Sequence, residues 1–237
     1  MIRIRRSDER GHANHGWLDA YHTFSFADYQ DPAWVHQGPL RVINQDRIAP
    51  AKGFQTHGHE NMEIITYVLE GAVEHKDSMG NGSVIHAGEV QVMSAGSGVT
   101  HSEFNHMQDA TTELLQMWIF PRSKGTPPRY GQRAFPLEER RDQLALAVGP
   151  DEGDAPLQID QDARFFVSEL TAGKAVNHEF GAGRLGWLHV AKGSVKVNGE
   201  TLGPGDGAGF EDEGAIEIEG VDDAKLVLFD LPRGLSH

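Results

Sequence analysis

The chain has 237 residues, 38% of them hydrophobic, which is enough for one large β domain or two modest ones. Its formal charge of −14 at pH 7 disfavours direct binding to nucleic-acid phosphates. The absence of cysteine excludes disulfides and thiolate-ligated metal sites. No stretch reaches the roughly 18 apolar residues of a membrane span, and the basic opening segment lacks the apolar run of a signal peptide. We therefore expect a cytoplasmic protein that contacts neither nucleic acid nor membrane.

The first half of the chain is a series of short predicted β-strands. Alternating apolar residues recur at intervals of roughly ten residues, bounded by glycine, proline, asparagine or aspartate. The predicted strands lie in LRVINQDRI (40–48), MEIITYVLEG (62–71), GAVEHKDSM (71–79), GSVIHAGEVQVMSAG (82–96) and TTELLQMWIFP (111–121). Between two of them, Asn81-Gly82 offers the positive φ angles of a tight hairpin turn.

A proline-rich passage over residues 121–136 separates this series from a second one. The segment 137–144, LEERRDQL, predicts a short helix, and strands follow in ARFFVSEL, GWLHVAKGSVKVNGE, GAIEIEG and AKLVLFDLP. TYVLEGAVEH in the first series resembles LHVAKGSVKVNG in the second, which suggests a duplication. We predict an all-β fold of two antiparallel β-barrels, with domains at 1–130 and 131–237 and some crossing of the opening segment or the end of the chain between barrels.

Two pairs of side chains with metal-binding chemistry have the same spacing. His57 and His59 in THGHENME are two residues apart, so in a strand both point to one face. His101 and Glu103 in THSE repeat the spacing. If an antiparallel barrel brings the strands together, the four side chains form a pocket that suits iron, manganese, copper, nickel or zinc. A lone strand histidine is usually an ordinary polar residue, but two matched pairs favour a metal site.

Glycines accompany both pairs. Gly58, between the two histidines, carries no side chain that could crowd the backbone. Gly96 and Gly98 precede the second pair and permit a sharp bend that re-aims its strand.

Long motifs around these residues resemble a known family. GFQTHGHENMEIITYVLEGAVEHKDSMGN followed by AGEVQVMSAGSGVTHSEFN resembles the two boxes of the cupin superfamily and, in detail, the pirin family. ERGHANHGWLDAYHTFSF is similar to the pirin opening signature. The likeness is strongest over residues 1–130 and is to bacterial pirins of the quercetin 2,3-dioxygenase type. It implies a bicupin, two stacked jelly-roll barrels with short helices, and one divalent metal, expected to be Fe(II), in the first barrel.

The resemblance also implies the ligands. The pirin ligands fall on His57, His59, His101 and Glu103, whereas cupins in general take their carboxylate from the first box, which here is Glu63. Pirin-like matching favours Glu103 as the ligand.

The second half departs from the ligand pattern. His178 stands where His57 does, but Phe180 replaces His59, and Ile218 is expected at the position of His101. We therefore expect the second barrel to hold no metal.

Other histidines and apolar residues have simpler interpretations. His12, His15 and His22 are expected to cap turns among aromatics that bury against the barrels. His75 could border the pocket or lie on a surface strand, and His106 is expected in a loop. Among residues expected in the core, Phe54 and Met117 could instead line an apolar pocket.

The family likeness implies an oxygenase. The expected reaction opens the heterocycle of flavonols such as quercetin with O2, with the 3-hydroxyl on the metal and Glu103 accepting its proton. One alternative is a non-enzymatic, redox-sensing regulator whose acidic surface binds a protein partner. A different cupin enzyme, such as a sugar isomerase, is a third.

Overall fold

The computed structural model describes residues 1–234, so the last three residues of the predicted second domain lie outside the described part. In chain order the first twelve strands are β1 Ile2–Arg5, β2 Gly11–Asn14, β3 Leu18–His22, β4 Leu40–Ile48, β5 Gly53–His59, β6 Glu63–Glu70, β7 Ala72–Asp77, β8 Gly82–His86, β9 Glu89–Ser94, β10 Val99–Asn105, β11 Thr112–Ile119 and β12 Arg129–Ala134. The next ten are β13 Ala145–Pro150, β14 Leu157–Ile159, β15 Arg164–Leu170, β16 Ala175–Glu179, β17 Arg184–Lys192, β18 Val195–Val197, β19 Glu200–Leu202, β20 Gly207–Glu211, β21 Ala215–Gly220 and β22 Ala224–Pro232. A 3-10 helix at Ser7–Glu9 and the helix α1, Leu137–Arg140, are the helical elements of residues 1–234.

The predicted strand series is confirmed, with local corrections at the turns. β4 has the bounds predicted for it, whereas the predicted segment 82–96 is two strands that reverse at Ala87 and Gly88. The prediction that Asn81-Gly82 supplies the positive φ angles of the β7–β8 turn was wrong, since Gly80 has φ +94° and neither of those residues is in the left-handed region.

The predicted helix over residues 137–144 is only half as long. α1 ends at Arg140 because Arg141 is extended and bridges Glu169, and Asp142 takes φ +54°. These backbone angles stop the helical hydrogen-bond ladder.

The strands form four sheets with a repeated order. One seven-stranded sheet runs β12-β9-β6-β11-β4-β3-β2, and a four-stranded sheet runs β5-β10-β7-β8. The second pair runs β1-β20-β17-β22-β15-β13-β14 and β16-β21-β18-β19. We call the first pair of sheets the first unit and the second pair the second unit. The all-β, duplicated bicupin fold is thus confirmed; within the described residues each barrel consists of two separate facing sheets.

Three of the four hydrophobic clusters among the described residues account for most of the apolar packing of this architecture. The largest joins the outer faces of the two seven-stranded sheets, where residues such as Ile43 and Leu115 meet Trp187 and Phe229. A second fills the interior of the second unit, and a smaller one fills one end of the first unit. Each Å² of apolar surface buried contributes roughly 25 cal/mol to stability, so the cluster shared by the two units stabilises their association.

β1 and β12 are edge strands of the two seven-stranded sheets. β1 pairs with β20 in the second unit, through Ile2↔Phe210 to Arg5↔Gly207. β12 pairs with β9 in the first unit. The division of domains near residue 130 stays a prediction. Among the described residues no helix is long and apolar enough to cross a membrane.

Candidate metal centre

Three predicted histidines converge at one end of the first unit. β5 and β10 are neighbours, and His57 and His101 are directly opposite in their register. The ring centroids are 4.5 Å apart for His57 and His101 and 4.9 Å apart for His59 and His101. One ring nitrogen from each of the three lies within 4.8 Å of the others. This arrangement can hold a metal ion.

The chemistry of these rings fits a cation. Burial, aided by the charge of His57, lowers the pKa of His59 to about 4 and that of His101 to about 3, so both rings are neutral and offer lone pairs. Both ring nitrogens of His101 are buried without a hydrogen-bond partner among residues 1–234. Buried polar atoms in native proteins normally have partners, so these nitrogens fit metal coordination.

Glu103 lies next to this cluster in a fixed position. It is 2% exposed, and one of its oxygens lies within 4.8 Å of nitrogens of His75 and His101. Gln116 Nε2 donates to its Oε2 at 2.9 Å and Thr66 Oγ1 donates to Oε1 at 3.4 Å. Burial raises the pKa of Glu103 to about 7 against the opposing effect of these hydrogen bonds.

The alternative carboxylate, Glu63, lies away from the cavity. Its neighbour Ile64 lines the cavity, and alternate residues of a strand point to opposite faces. Glu63 is buried and accepts a hydrogen bond from Ser94 Oγ at 2.5 Å. Burial raises its pKa to about 7.

A cavity of about 210 Å³ opens beside the histidines. Its apolar wall is formed by Leu18, Ala20, Phe26, Phe54, Ile64 and Trp118. Its polar wall, besides His57, His59 and Glu103, is formed by His22, Asn44, Asp46 and Gln116. An apolar pocket with a few convergent polar groups is typical of a small-molecule site.

Three members of the polar wall, His22, Asn44 and Gln116, belong to a row of side chains that crosses the seven-stranded sheet. Register pairs link the members one to the next, from β3 to β9. The members are His22, Asn44, Gln116, Thr66 and Gln91. His22 Nδ1 lies 2.9 Å from Asn44 Oδ1, and burial lowers the pKa of His22. Sequence reasoning missed this row because its members come from five separate strands.

Of four other histidines in the first half of the chain, two are buried at or near the cavity and two lie outside it. His22 lies in β3 and lines the cavity, so its predicted place at a turn was wrong. His75 is fully buried, stacks on Tyr130 and lies 5.3 Å from His101 between ring centroids, so it is not on the surface. His12 is exposed and contacts Asp19 at 2.6 Å. His106 follows the end of β10 in a loop, as predicted.

Phe54 and Met117 lie on different sides of the first unit. Phe54 lines the cavity, whereas Met117 is in the cluster between the units.

The glycines at the two strands differ in what they contribute. Gly96 has φ +48°, and a Cβ there would lie 2.0 Å from the carbonyl oxygen of Thr126. Gly98 has φ +132°, so both allow the predicted bend before β10. A Cβ on Gly58 would meet its nearest atoms at 3.8 Å, which is an ordinary contact, so space does not require glycine there.

The second unit has apolar residues at the corresponding positions. His178 faces Ile216 across the β16–β21 pair, so Ile216, and not Ile218 as predicted, stands opposite it. Phe180 is in the apolar cluster of this unit. His178 Nε2 lies 2.9 Å from Asp230 Oδ2, and Arg184 also contacts Asp230. No group of metal ligands was found here among the described residues.

Fold and site together define a class: a duplicated all-β protein with a histidine-rich centre, able to hold a metal ion, in one of its two units. Comparison with known proteins gives the family. The Pirin family matches residues 3–119, and the Quercetinase C-terminal cupin domain matches residues 146–231.

Relatives that align over nearly their whole length support the same family. The chain is 47% identical over 232 residues to a quercetin 2,3-dioxygenase of Escherichia coli (strain K12), covering 98% of this chain and 99% of that protein. It is also 47% identical to a pirin-like protein of Caulobacter vibrioides, covering 97% and 99%. The solved structure of the bacterial pirin YhhW from Escherichia coli in complex with nickel(II) superposes with a TM-score of 0.92 at 46% identity, covering 98% and 99%. The chain belongs to the pirin family.

Proposed function

We propose that the protein is a metal-dependent dioxygenase that opens the heterocycle of flavonols such as quercetin. The observation that carries this proposal is the cluster of His57, His59 and His101 beside the buried Glu103, at the wall of a largely apolar cavity. The names of relatives such as the Escherichia coli quercetin 2,3-dioxygenase support the substrate class.

The proposed metal ligands are the three histidines and Glu103, with Fe(II) as the native ion. Imidazole and carboxylate ligands also accommodate nickel, manganese, copper and zinc, and the nickel complex of a 46% identical pirin supports binding of a divalent ion in this fold. A divalent transition metal held here would supply Lewis acidity toward a substrate hydroxyl and a route for reaction with dioxygen.

Glu103, as a metal ligand or as a carboxylate freed from the metal, is proposed to accept the proton of the substrate's 3-hydroxyl. Its pKa of about 7 in the absence of a cation lies near neutrality, where a general base is effective, and a neighbouring cation would favour the carboxylate form. Gln116 and Thr66 donate to its two oxygens and so hold the group in one orientation. Loss of either donor would leave the base less well positioned.

The apolar wall is proposed to bind the flat rings of the substrate and exclude water. Phe26 packs edge-on against Trp118, and Phe54 packs edge-on against Trp17, so the aromatic walls are fixed by their own contacts. A dry cavity strengthens electrostatic interactions at the metal and limits side reactions.

Oxygen-dependent turnover tests the proposal. The protein is freed of metal, reloaded with Fe(II), Mn(II), Cu(II) or Ni(II), and the loss of quercetin absorbance is followed with and without O2. We expect oxygen-dependent loss with at least one metal, and little in His57→Ala. No turnover with any metal would overturn the dioxygenase and favour the redox-sensing regulator.

The carboxylate assignment has its own test. Elemental analysis of Glu103→Gln and Glu63→Gln compares the two candidates in otherwise identical protein. We expect Glu103→Gln to lose metal and Glu63→Gln to retain it. The reverse result would assign the ligand to Glu63.

A further inference from the structure

One carboxyl group in the cavity has no role in the scheme above. Asp46 lies on β4, where its register partners are Ala20 on β3 and Leu114 on β11, and Leu114 in turn pairs with Val68. Asp46 therefore interrupts an otherwise apolar row of the sheet. It is only 3% exposed. A buried carboxyl is unfavourable unless it gains a partner, so this row would be more stable with an apolar residue.

Residues 1–234 provide no such partner. Asp46 Oδ1 is buried and has no hydrogen-bond partner among residues 1–234. Nearby polar groups of the same wall are paired, since Asn44 contacts His22 and Gln116 donates to Glu103. Among the cavity-lining groups, Asp46 Oδ1 and Trp118 Nε1 are the buried side-chain atoms without a partner among residues 1–234, and an unpaired carboxyl oxygen is compatible with a donor that is not part of the chain.

The position of Asp46 defines where this partner lies. Asp46 lines the same cavity as His57, His59 and Glu103, but it projects from the seven-stranded sheet, whereas the histidines belong to the four-stranded sheet. A molecule in the cavity can therefore contact the histidine cluster with one group and Asp46 with another. The aromatic side chains of Phe26, Phe54 and Trp118 line the same cavity.

We propose that Asp46 is a second recognition point, which accepts a hydrogen bond from a ring hydroxyl of an aromatic ligand other than the hydroxyl at the histidine cluster. This deepens the proposed function, on which the choice of flavonols rests, because it restricts the substrates to polyhydroxylated ones. A carboxyl keeps at least one acceptor oxygen in either protonation state.

Two ligands that share the 3-hydroxyl separate this role from a structural one. Quercetin carries further ring hydroxyls, and 3-hydroxyflavone carries none. Binding to nickel-loaded protein is measured under argon by quenching of tryptophan fluorescence. In Asp46→Leu we expect quercetin to bind about tenfold more weakly, the equivalent of one hydrogen bond, and 3-hydroxyflavone to bind within about twofold of wild type. Asp46→Asn, which keeps an acceptor oxygen, should restore most quercetin binding.

One control variant and two measurements separate a role of Asp46 in binding from a defect in folding or metal loading. Ser168→Ala removes a buried, unpaired hydroxyl from the second unit and should change neither affinity. Nickel content and thermal midpoint verify that each variant is folded and loaded, and Asp46→Leu should melt no lower than wild type. Equal weakening of both ligands, unchanged quercetin binding, or no binding of either ligand to wild type would overturn the proposal. Because dioxygen is absent, failure of turnover alone leaves this result intact.

Discussion

The two units share one strand order but fill their interiors differently. In the first unit the row that crosses the large sheet is polar and runs through Asn44, Gln116 and Thr66. In the second unit an interior row runs through Leu228 and Leu188 to Ala208, all in its apolar cluster. The same frame thus encloses a cavity in one unit and a packed core in the other. In the first unit, polar side chains occupy positions where apolar packing would otherwise stabilise the fold. These polar groups must pair with one another or with a ligand.

The largest effect should come from removing a proposed metal ligand in the first unit. His101→Ala is expected to weaken metal binding about a thousandfold, because it removes a buried imidazole at the centre of the cluster. Elemental analysis and competition with a chelator measure the loss. His178→Ala, at the corresponding strand of the second unit, should retain the metal. Equal losses in both variants would contradict the asymmetry of the units.

Core packing should matter most in the second unit. Leu228 is fully buried, so Leu228→Ala is expected to lower the free energy of unfolding by about 3 kcal/mol. Gln116→Ala in the first unit, beside an existing cavity, should lower it by only about 1 kcal/mol. Urea denaturation compares the two. A loss in Gln116→Ala as large as in Leu228→Ala would show that the polar row stabilises as much as the apolar one.

The bend before β10 should tolerate no side chain. Gly96→Ala is expected to lower the free energy of unfolding by about 2 kcal/mol, because its Cβ meets a backbone carbonyl and its φ is left-handed. Gly58→Ala, whose added methyl meets only ordinary contacts, should change it by less than about 0.5 kcal/mol. Comparable losses would indicate that the strand between His57 and His59 is also constrained.

The ion pair at Asp230 should make the second unit sensitive to acid. Burial raises the pKa of Asp230, but hydrogen bonds from His178 and Arg184 outweigh it and lower the pKa below its ordinary value. This contribution is therefore present above the ordinary pKa of about 4 and is lost as the pH falls through the folded-state pKa. Asp230→Asn should cost about 1.5 kcal/mol at pH 7 and progressively less toward pH 3, as urea denaturation would measure. A difference independent of pH would exclude a role for the charge.

The sequence predicted most strands because half-buried strands alternate apolar and polar residues. It predicted the convergence of His57, His59 and His101 for a related reason, since the i, i+2 spacing fixes which side chains share a face. The same spacing left two positions open for His75, at the pocket or on the surface, because spacing alone does not show which face of a strand is buried.

Other features depend on register between distant strands, which local patterns do not specify. Asp46 and Gln116 reach one cavity only because β4 pairs with β11 at a particular offset. The helix over residues 137–144 was overestimated for a similar reason. The bridge from Arg141 to Glu169 is a tertiary contact that overrides local helix propensity.

The pairing of β1 with β20 has a consequence for biosynthesis. Residues 2–5 are translated roughly 200 residues before the strand they pair with, a delay of about 10–40 s at ordinary elongation rates. During that interval β1 has no sheet to join, while the first unit, whose large sheet ends with β12, can already assemble its own strands. When β20 has been synthesised, β1 pairs with its outer edge. This pairing covers backbone groups of β20 that could otherwise pair with another chain and lead to aggregation. The order of synthesis therefore favours assembly of the first unit before the large sheet of the second unit is complete.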